Sequence, residues 1–207
     1  FDLNQIIVST GAKQSIYNLL QATIDAGDEV IIPATYWVSY PAMVELADGT
    51  PVVIETTAEN HYKINPTQLS NLITSKTKMI MHNSPSNPTG SVYQADELKA
   101  IADVCRDHPD MLILTDDIYE KINLNDDPFY NIVMVEPRLK DRVIILSGVS
   151  KAYSMTGWRI GYAAGPSSII KAMGILQSQS TSNPTSISQV AAEAALNSDQ
   201  SCITPMV

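Results

Sequence analysis

The sequence has only two cysteines, few basic residues and no long apolar run, and each shortage removes a class of protein. Cys105 and Cys202 share no metal-type spacing and are interpreted as packing residues, so a reducing cytosol is expected. Thirteen Lys and Arg residues stand against 22 Asp and Glu, giving a net charge of −9 without any basic stripe. This charge balance argues against a nucleic-acid partner.

Signatures of membrane, nucleotide and metal sites are also missing. No apolar run approaches the roughly 20 residues that span a bilayer, and the first residues do not resemble a signal peptide, so no membrane partner is expected. Neither GxxxxGK[ST] nor a GxGxxG after a strand occurs. His61, His82 and His108 lack metal spacing, so no metal is predicted. His82 ends an apolar run and is either a structural histidine or a neighbour of Asp116.

The length and composition are those of an ordinary folded globular protein. A chain of 207 residues with 44% hydrophobic and 17% charged residues can form one large α/β domain or two small ones. No internal repeat, low-complexity tract or long linker interrupts it, so one domain is predicted. The first residues already lead into a helix pattern, and "SCITPMV" closes no element. We therefore expect residues 1–207 to be a piece of a longer chain.

Short apolar runs that are typical of strands alternate with helical patterns. The runs are "DEVIIP", "TPVVIET", "KMIMHNS", "MLILTDD", "RVIILS" and "WRIGYAA", and "VSTGAKQ" reads as a strand with a small-residue turn. The helical patterns are "AKQSIYNLLQATIDA", "YPAMVELA", "PTQLSNLI" and "QADELKAIADVCRDH". Strands that are apolar on both faces and separated by helices predict an α/β fold with a mostly parallel sheet sandwiched by helices.

Polar residues follow these strands at the edge where such sheets bind ligands. In open α/β sheets, ligands lie beyond the carboxyl ends of the strands. The polar and small residues expected to converge there are Gly11, Asn87, Asp116, Tyr119, Lys151 and Arg159. The prediction of a site depends on this convergence and not on any single residue.

The chemistry of these residues matches one cofactor. A helix that starts after Gly11 offers free amides to a phosphate, and Arg159 can add a bidentate contact. Lys151 can form a Schiff base with an aldehyde, and Asp116 can hold a protonated ring nitrogen. Asp116 is preferred over Asp117 because neighbouring residues of a strand point to opposite faces. Phosphate, aldehyde and pyridinium together predict pyridoxal 5′-phosphate.

Each residue also has a simpler explanation when it is considered alone. A lysine after a strand is usually a solvated surface residue, and "NPTG" is a common turn. Asp116 could cap a helix. Three aromatic residues, Tyr36, Trp37 and Tyr40, could be core or interface residues.

Five motifs together resemble a known family. "SKAYSMTGWRIGY", "NSPSNPTG", "TDDIYE", "GAKQ" and "ATYWVSYP" are similar to the fold-type I, class I aminotransferases, closest to the bacterial aspartate aminotransferase subgroup. The resemblance covers essentially the whole chain. It implies that residues 1–207 are the large, pyridoxal phosphate-binding domain of fold type I, with an N-terminal arm and a C-terminal small domain elsewhere. That small domain carries the arginine for the substrate α-carboxylate.

The same resemblance implies roles for the residues around the cofactor ring. Lys151 corresponds to the lysine that holds the cofactor as a Schiff base and then moves the proton. Asp116 corresponds to the partner of the pyridine nitrogen, and Tyr119 to the tyrosine that binds the ring 3′-oxygen. Asn87 corresponds to a contact of that oxygen and of the substrate carboxylate. Trp37 corresponds to the aromatic residue that stacks on the ring beside the substrate.

Contacts to the phosphate and to the substrate side chain are implied as well. The residues that match phosphate contacts are Gly11, Ala12 and Arg159. Lys13, at the same turn, matches a lysine suited to the distal carboxylate of an acidic substrate. The family's serine three positions before the lysine is Gly148 here, and Ser150 is the candidate to replace it.

The resemblance implies transamination from L-aspartate to 2-oxoglutarate, with amino acids and oxo-acids as small-molecule partners. It also implies a cytoplasmic homodimer in which residues 177–184, "QSQSTSNP", reach the neighbouring subunit. The alternatives left open are an aromatic or prephenate aminotransferase, a carbon–sulfur lyase, a pyridoxal phosphate-binding regulatory domain and a fragment with only a scaffold role.

Overall fold

The computed structural model describes residues 1–122, 124 and 128–207. One seven-stranded sheet forms its centre, and its strands in chain order are β1 Ile6–Thr10, β2 Glu29–Pro33, β3 Thr50–Ile54, β4 Thr77–Asn83, β5 Leu112–Asp116, β6 Val143–Gly148 and β7 Ile160–Ala164. Across the sheet the order is β1-β7-β6-β5-β4-β2-β3. Each of the seven apolar runs in the sequence forms one of these strands.

Seven helices cover the sheet in the described part of the chain. They are α1 Ala12–Thr23, α2 Ser39–Glu45, α3 Pro66–Leu72, α4 Ala95–Arg106, α5 Ile132–Val135, α6 Ser167–Ser180 and α7 Ser186–Asn197. The first four are the predicted helices. The predicted α/β class and the mostly parallel sheet are therefore confirmed.

Local sequence signals explain where α3 begins and which face of α4 is buried. The side chain of Asn65 accepts a hydrogen bond from the amide of Gln68, and Pro66 occupies the first turn of α3, where its missing N–H costs nothing. In α4, the buried residues Leu98, Ile101, Ala102 and Cys105 recur at the spacing of one helix face. That face packs on the sheet.

Alternate residues of the central strands face two separate apolar cores. In β2, Val30 and Ile32 pack with α1 and α2, whereas Ile31 packs with α3 and α4. β5 divides in the same way, with Leu114 on the first side and Ile113 on the second. Because both faces are buried, these strands have no polar alternation.

One strand runs against the others. The pairs β2–β3, β2–β4, β4–β5 and β5–β6 are parallel, whereas β7 is antiparallel to both β6 and β1. The start of β7 therefore lies at the edge where the other strands end. Thr10, the last residue of β1, pairs with Ile160, the first residue of β7. This reversal brings Arg159, which precedes β7, to the edge that carries the other candidate site residues.

None of the helices in the described part of the chain combines the length and the apolar character that crossing a membrane requires.

Candidate functional site

A cleft of about 170 Å³ lies at the carboxyl edge of the sheet. Its lining comes from α1, α2, the last residues of β4 and β5, and the loops after β2, β4, β5 and β6. It consists of Ala12, Lys13, Ile16, Trp37, Tyr40, Asn83, Asn87, Asp116, Ile118, Tyr119, Ser150, Lys151, Thr156 and Arg159. Nine of the ten residues predicted from the sequence line this cleft. The tenth, Gly11, lies directly behind Arg159.

Two glycines make one corner of the cleft possible. A Cβ atom on Gly11 would lie 2.1 Å from Nη2 of Arg159, and the φ angle of Gly11 is +81°. A Cβ atom on Gly161 would lie 2.1 Å from the amide nitrogen of Ala12. Only glycine at these positions lets the arginine and the first turn of α1 come together. The corner combines a guanidinium with the free amides of a helix N-terminus, which suits a phosphate.

The side chain of Arg159 is fixed at this corner. Its Nη1 donates to the carbonyl oxygen of Thr156 at 2.8 Å, and its backbone has the left-handed values φ 55° and ψ 51°. Left-handed geometry is unfavourable for residues other than glycine, and such strain concentrates at functional sites. Thr156 was not predicted as a site residue, because its contribution here is a backbone carbonyl.

Asp116 lies buried at the end of β5, at the base of the cleft. The hydroxyl of Tyr40 donates to its Oδ2 at 2.6 Å, and the amide of Ile118 donates to its Oδ1 at 3.3 Å. Burial raises the pKa of Asp116 to about 6, against the lowering effect of these two hydrogen bonds. Within the described residues, the carboxylate thus has one strongly bonded oxygen, Oδ2, and one oxygen with a single long contact, Oδ1.

Asp117 faces the other side of the sheet, as strand alternation predicts. It accepts hydrogen bonds from Oγ1 of Thr115 at 2.6 Å and from Nδ2 of Asn131 at 2.9 Å. Burial raises its pKa to about 8, and the negative charges of Asp116 and Glu120 add to this rise. Asp117 does not line the cleft.

Asn83 connects two loops at the same edge. Its Nδ2 donates to the backbone oxygen of Asp116 at 2.8 Å, and its Oδ1 accepts from the amide of Asn87 at 2.8 Å. The loop that carries Asn87 is thereby tied to the end of β5. The sequence offered a signal for Asn83, since it ends an apolar run just as Asp116 does.

Two lysines reach the cleft from opposite sides. Lys13, in the first turn of α1, has its Nζ 4.6 Å from the centre of the Trp37 ring, within the range of a cation–π contact. Lys151 follows β6, and its Nζ lies 5.6 Å from the centre of the Tyr119 ring. The cleft therefore holds two primary amines and one guanidinium against one carboxylate.

Gly148, which stands where the resemblance implies a serine, lies tightly against β7. A Cβ atom on Gly148 would lie 2.9 Å from the carbonyl oxygen of Ile160 and 3.0 Å from Cα of Gly161. Both neighbours are backbone atoms of β7 and have little room to move. Any larger residue would push β7 away from β6, whereas Ser150, two positions later, lines the cleft.

His82 lies outside the cleft. It is buried on the second face of the sheet, where its ring centre is 4.6 Å from that of Tyr93 and its register partner on β5 is Thr115. Burial lowers its pKa to about 4, so it is neutral near pH 7. Its Nε2 has no hydrogen-bond partner among residues 1–122, 124 and 128–207. Of the two interpretations, the structural one is favoured.

Within the same described residues, no group of three or more His, Cys, Asp or Glu side chains could hold a metal ion.

Comparison with known proteins identifies the family. The family model described as aminotransferase class I and II matches residues 1–206. An aspartate/prephenate aminotransferase of Nitrosomonas europaea is 61% identical over 203 residues, which are 98% of this chain and 51% of that protein. An aspartate aminotransferase of Bacillus subtilis is 57% identical over 194 residues, which are 94% of this chain and 49% of that protein. The chain belongs to the class I and II aminotransferases.

A solved structure agrees with this assignment. The crystal structure of an aspartate aminotransferase from Rhizobium meliloti superposes with a TM-score of 0.97 at 45% identity, over 99% of this chain and 51% of that one. The chain spans about half the length of the relatives it matches. Family membership confirms the predicted fold type I and the predicted cofactor, pyridoxal 5′-phosphate, on which these aminotransferases depend.

The residues present fit this cofactor. The corner at Gly11 and Gly161 leaves an amide-lined cradle beside Arg159, and a side chain on either glycine would fill it. Oδ1 of Asp116 is the carboxylate oxygen without a strong partner, which suits a protonated ring nitrogen. Lys151 supplies a primary amine in the same cleft.

The burial of Asp117 predicts a measurable pH dependence of stability. Its folded-state pKa of about 8 lies above the usual value of 3.8, so the folded protein keeps a proton that the unfolded chain releases near pH 4. This stabilisation is complete at low pH and is lost as the pH rises to about 8. Asp117→Asn removes the titration while keeping the size of the side chain.

Urea unfolding of the full-length protein at pH 5 and pH 8 checks this prediction. The free energy of unfolding of the unmodified protein should fall between these pH values by at least about 1 kcal/mol more than that of Asp117→Asn, since one pKa unit corresponds to about 1.4 kcal/mol. Asp141→Asn, at an exposed position, is the matched control and should follow the unmodified protein. Parallel pH profiles for all three proteins would contradict the prediction.

Proposed function

We propose that the whole protein is a pyridoxal phosphate-dependent aspartate aminotransferase that transfers the amino group of L-aspartate to 2-oxoglutarate and yields oxaloacetate and L-glutamate. The observation that carries the proposal is the presence of Lys151, Asp116 and Arg159 in one cleft, each from a different strand end. The chain itself serves as the large cofactor-binding domain. Its relatives of about twice the length, named aspartate aminotransferases, support this division.

Four groups bind and orient the cofactor in this proposal. Bound pyridoxal phosphate supplies an aldehyde that condenses with amines and a ring that accepts electrons from the substrate Cα. Arg159 and the first amides of α1, at Ala12 and Lys13, bind the phosphate, and Ser150 adds a hydroxyl close by. The indole of Trp37 covers one face of the ring and excludes water from it.

Further groups act on protons. The Nζ amine of Lys151 would bind the cofactor covalently through its aldehyde; once displaced by the substrate amine, it would accept the proton from the substrate Cα and return it to the former aldehyde carbon of the cofactor. The carboxylate of Asp116 keeps the ring nitrogen protonated, which matters more in the transition state than in the bound ground state. Tyr119 and Asn87 donate hydrogen bonds to the ring oxygen, and Asn87 also binds the substrate carboxylate.

Lys13 selects acidic substrates in this proposal. Its backbone amide belongs to the phosphate-binding turn, while its ammonium group lies over Trp37, at the mouth of the cleft. A cation there suits the distal carboxylate of aspartate or glutamate.

Prephenate is the second candidate substrate. The relative from Nitrosomonas europaea, at 61% identity, is named an aspartate/prephenate aminotransferase. Prephenate carries a second carboxylate, so Lys13 suits it for the same reason that it suits aspartate. Turnover of the full-length protein with aspartate, with prephenate and with phenylalanine distinguishes a dicarboxylate enzyme from an aromatic one.

The assembly and location are proposals of the same kind. We infer a cytoplasmic homodimer in which residues 177–184 reach the partner subunit. Residues 178–183 of this segment are exposed, which supports the inference. Size-exclusion chromatography with light scattering on the full-length protein checks it, and a monomeric mass would contradict it.

Reduction with borohydride tests which lysine holds the cofactor. After the full-length protein is loaded with pyridoxal phosphate and reduced, peptide mapping should find the pyridoxyl group on Lys151. Lys13 is the informative competitor because it is the other amine of the cleft. Labelling should persist in Lys13→Ala and disappear in Lys151→Ala. A pyridoxyl group on Lys13 or on any surface lysine would refute the assignment.

Replacement of Lys13 tests the substrate class. Lys13→Ala should lower kcat/KM for aspartate about ten- to a hundredfold, the usual effect of losing a hydrogen bond to a charged group. The kcat/KM for phenylalanine and the affinity for pyridoxal phosphate should stay within about twofold of those of the unmodified protein. Lys171→Ala, at an exposed position of α6, is the control. If kcat/KM fell equally for both amino donors, or if only cofactor affinity fell, Lys13 would be a phosphate-binding residue and not a substrate-selecting one.

A further inference from the structure

Tyr40 makes a hydrogen bond that the sequence did not predict. It lies in α2 with 3% of its surface exposed, and its ring meets the Trp37 ring edge-on, with ring centres 5.5 Å apart. Its hydroxyl donates to Oδ2 of Asp116 at 2.6 Å, across 76 positions of sequence. A tyrosine at this place is therefore more than a core aromatic residue.

The hydrogen bond from Tyr40 is the main restraint on the orientation of the Asp116 carboxylate. Among residues 1–122, 124 and 128–207, the contact recorded for Oδ1 of Asp116 is the 3.3 Å hydrogen bond from the amide of Ile118. In the described part of the chain, Tyr40 is the residue whose side chain donates to this carboxylate. Rotation of the carboxyl group about its Cβ–Cγ bond would break the contact with Tyr40, so the hydroxyl fixes the plane in which Oδ1 lies.

Tyr40 acts here as a neutral donor. Burial and then the negative charge of Asp116 raise the pKa of Tyr40 well above its usual value, so the hydroxyl keeps its proton. A charged donor would neutralise Asp116 and weaken its attraction for a second cation. A hydroxyl stabilises the carboxylate and leaves its full negative charge for the group at Oδ1.

We propose that Tyr40 is a positioning residue that holds the carboxylate of Asp116 so that Oδ1 faces the ring nitrogen of pyridoxal phosphate. The inference rests on the proposed function, since it requires that cofactor in the cleft. Tyr40 is one of the residues that line the cleft, and in this proposal its effect on the cofactor passes through Asp116.

Tyr40→Phe in the full-length protein tests the proposal, because it removes the hydroxyl and keeps the ring. The dissociation constant of pyridoxal phosphate should rise about tenfold, the lower end of what a hydrogen bond to a charged group contributes. The kcat for aspartate should fall by a similar factor while KM changes less than about twofold, since the lost contact supports Asp116 mainly in the transition state. Tyr36→Phe, a neighbour outside the cleft, should change neither quantity.

A double-mutant cycle separates positioning from a general loss of packing. In an Asp116→Ala background, Tyr40→Phe should change cofactor affinity less than about twofold, because the group through which it acts is gone. Equal losses with and without the Asp116 carboxylate would overturn the proposal, as would unchanged affinity and kcat in the single variant.

Measurements on the unmodified protein distinguish failure of the proposed function from failure of the role proposed for Tyr40. An unmodified protein that binds no pyridoxal phosphate at Lys151 would overturn the proposed function and this inference with it. Normal binding and turnover in the unmodified protein, together with an unaffected Tyr40→Phe variant, would overturn the role of Tyr40 alone.

Discussion

A buried carboxylate at the end of a central strand determines much of this site. Removing an ionised carboxyl group from water is unfavourable unless hydrogen bonds or opposite charges compensate. Asp116 is 5% exposed, and its nearest strong donor is the neutral hydroxyl of Tyr40. That donor satisfies one oxygen and leaves the negative charge intact. Asp116 lines a cleft that also contains Lys13, Lys151 and Arg159, and in the proposed function the remaining oxygen binds the ring nitrogen of the cofactor.

The directions of β6 and β7 place Lys151 and Arg159 at the same edge of the sheet. Lys151 comes after β6, a parallel strand, whereas Arg159 comes before β7, the strand that runs in reverse. Both arrive at one side because the end of a strand and the start of its antiparallel neighbour are adjacent. The glycines at positions 11 and 161 then let the helix N-terminus approach Arg159. In the proposed function, the negatively charged phosphate of the cofactor offsets the repulsion among these positive charges.

Most of the fold could be read from the sequence because both faces of the sheet are buried. Runs such as "MLILT" and "RVIIL" have no polar alternation, and helices at regular intervals cover them. The direction of β7 could not be read in this way, since an apolar strand has the same pattern whichever way it runs. Side-chain alternation along a strand is a local property, so the sequence alone could predict that Asp116 and Asp117 lie on opposite faces, and of the two only Asp116 lines the cleft.

The parts of the site that the sequence did not reveal depend on contacts between distant segments. Tyr40 meets Asp116 only because α2 packs at the end of β5. In the sequence, Gly148 is only a departure from the family pattern. The structure shows that a Cβ atom at this position would lie 2.9 Å from the carbonyl oxygen of Ile160 in β7. In both cases the physical reason is a close approach that no spacing along the chain encodes.

The central claim is that Asp116, and not its neighbour Asp117, holds the ring nitrogen of the cofactor. The most direct measurement compares Asp116→Ala with Asp117→Ala in the full-length protein, for pyridoxal phosphate affinity and for aspartate turnover. Asp116→Ala should lose at least about a hundredfold in kcat, because a buried ion pair that acts in the transition state is removed. Asp117→Ala should lose stability but keep most of its turnover per folded molecule. Equal losses of turnover, or a larger loss for Asp117→Ala, would contradict the account.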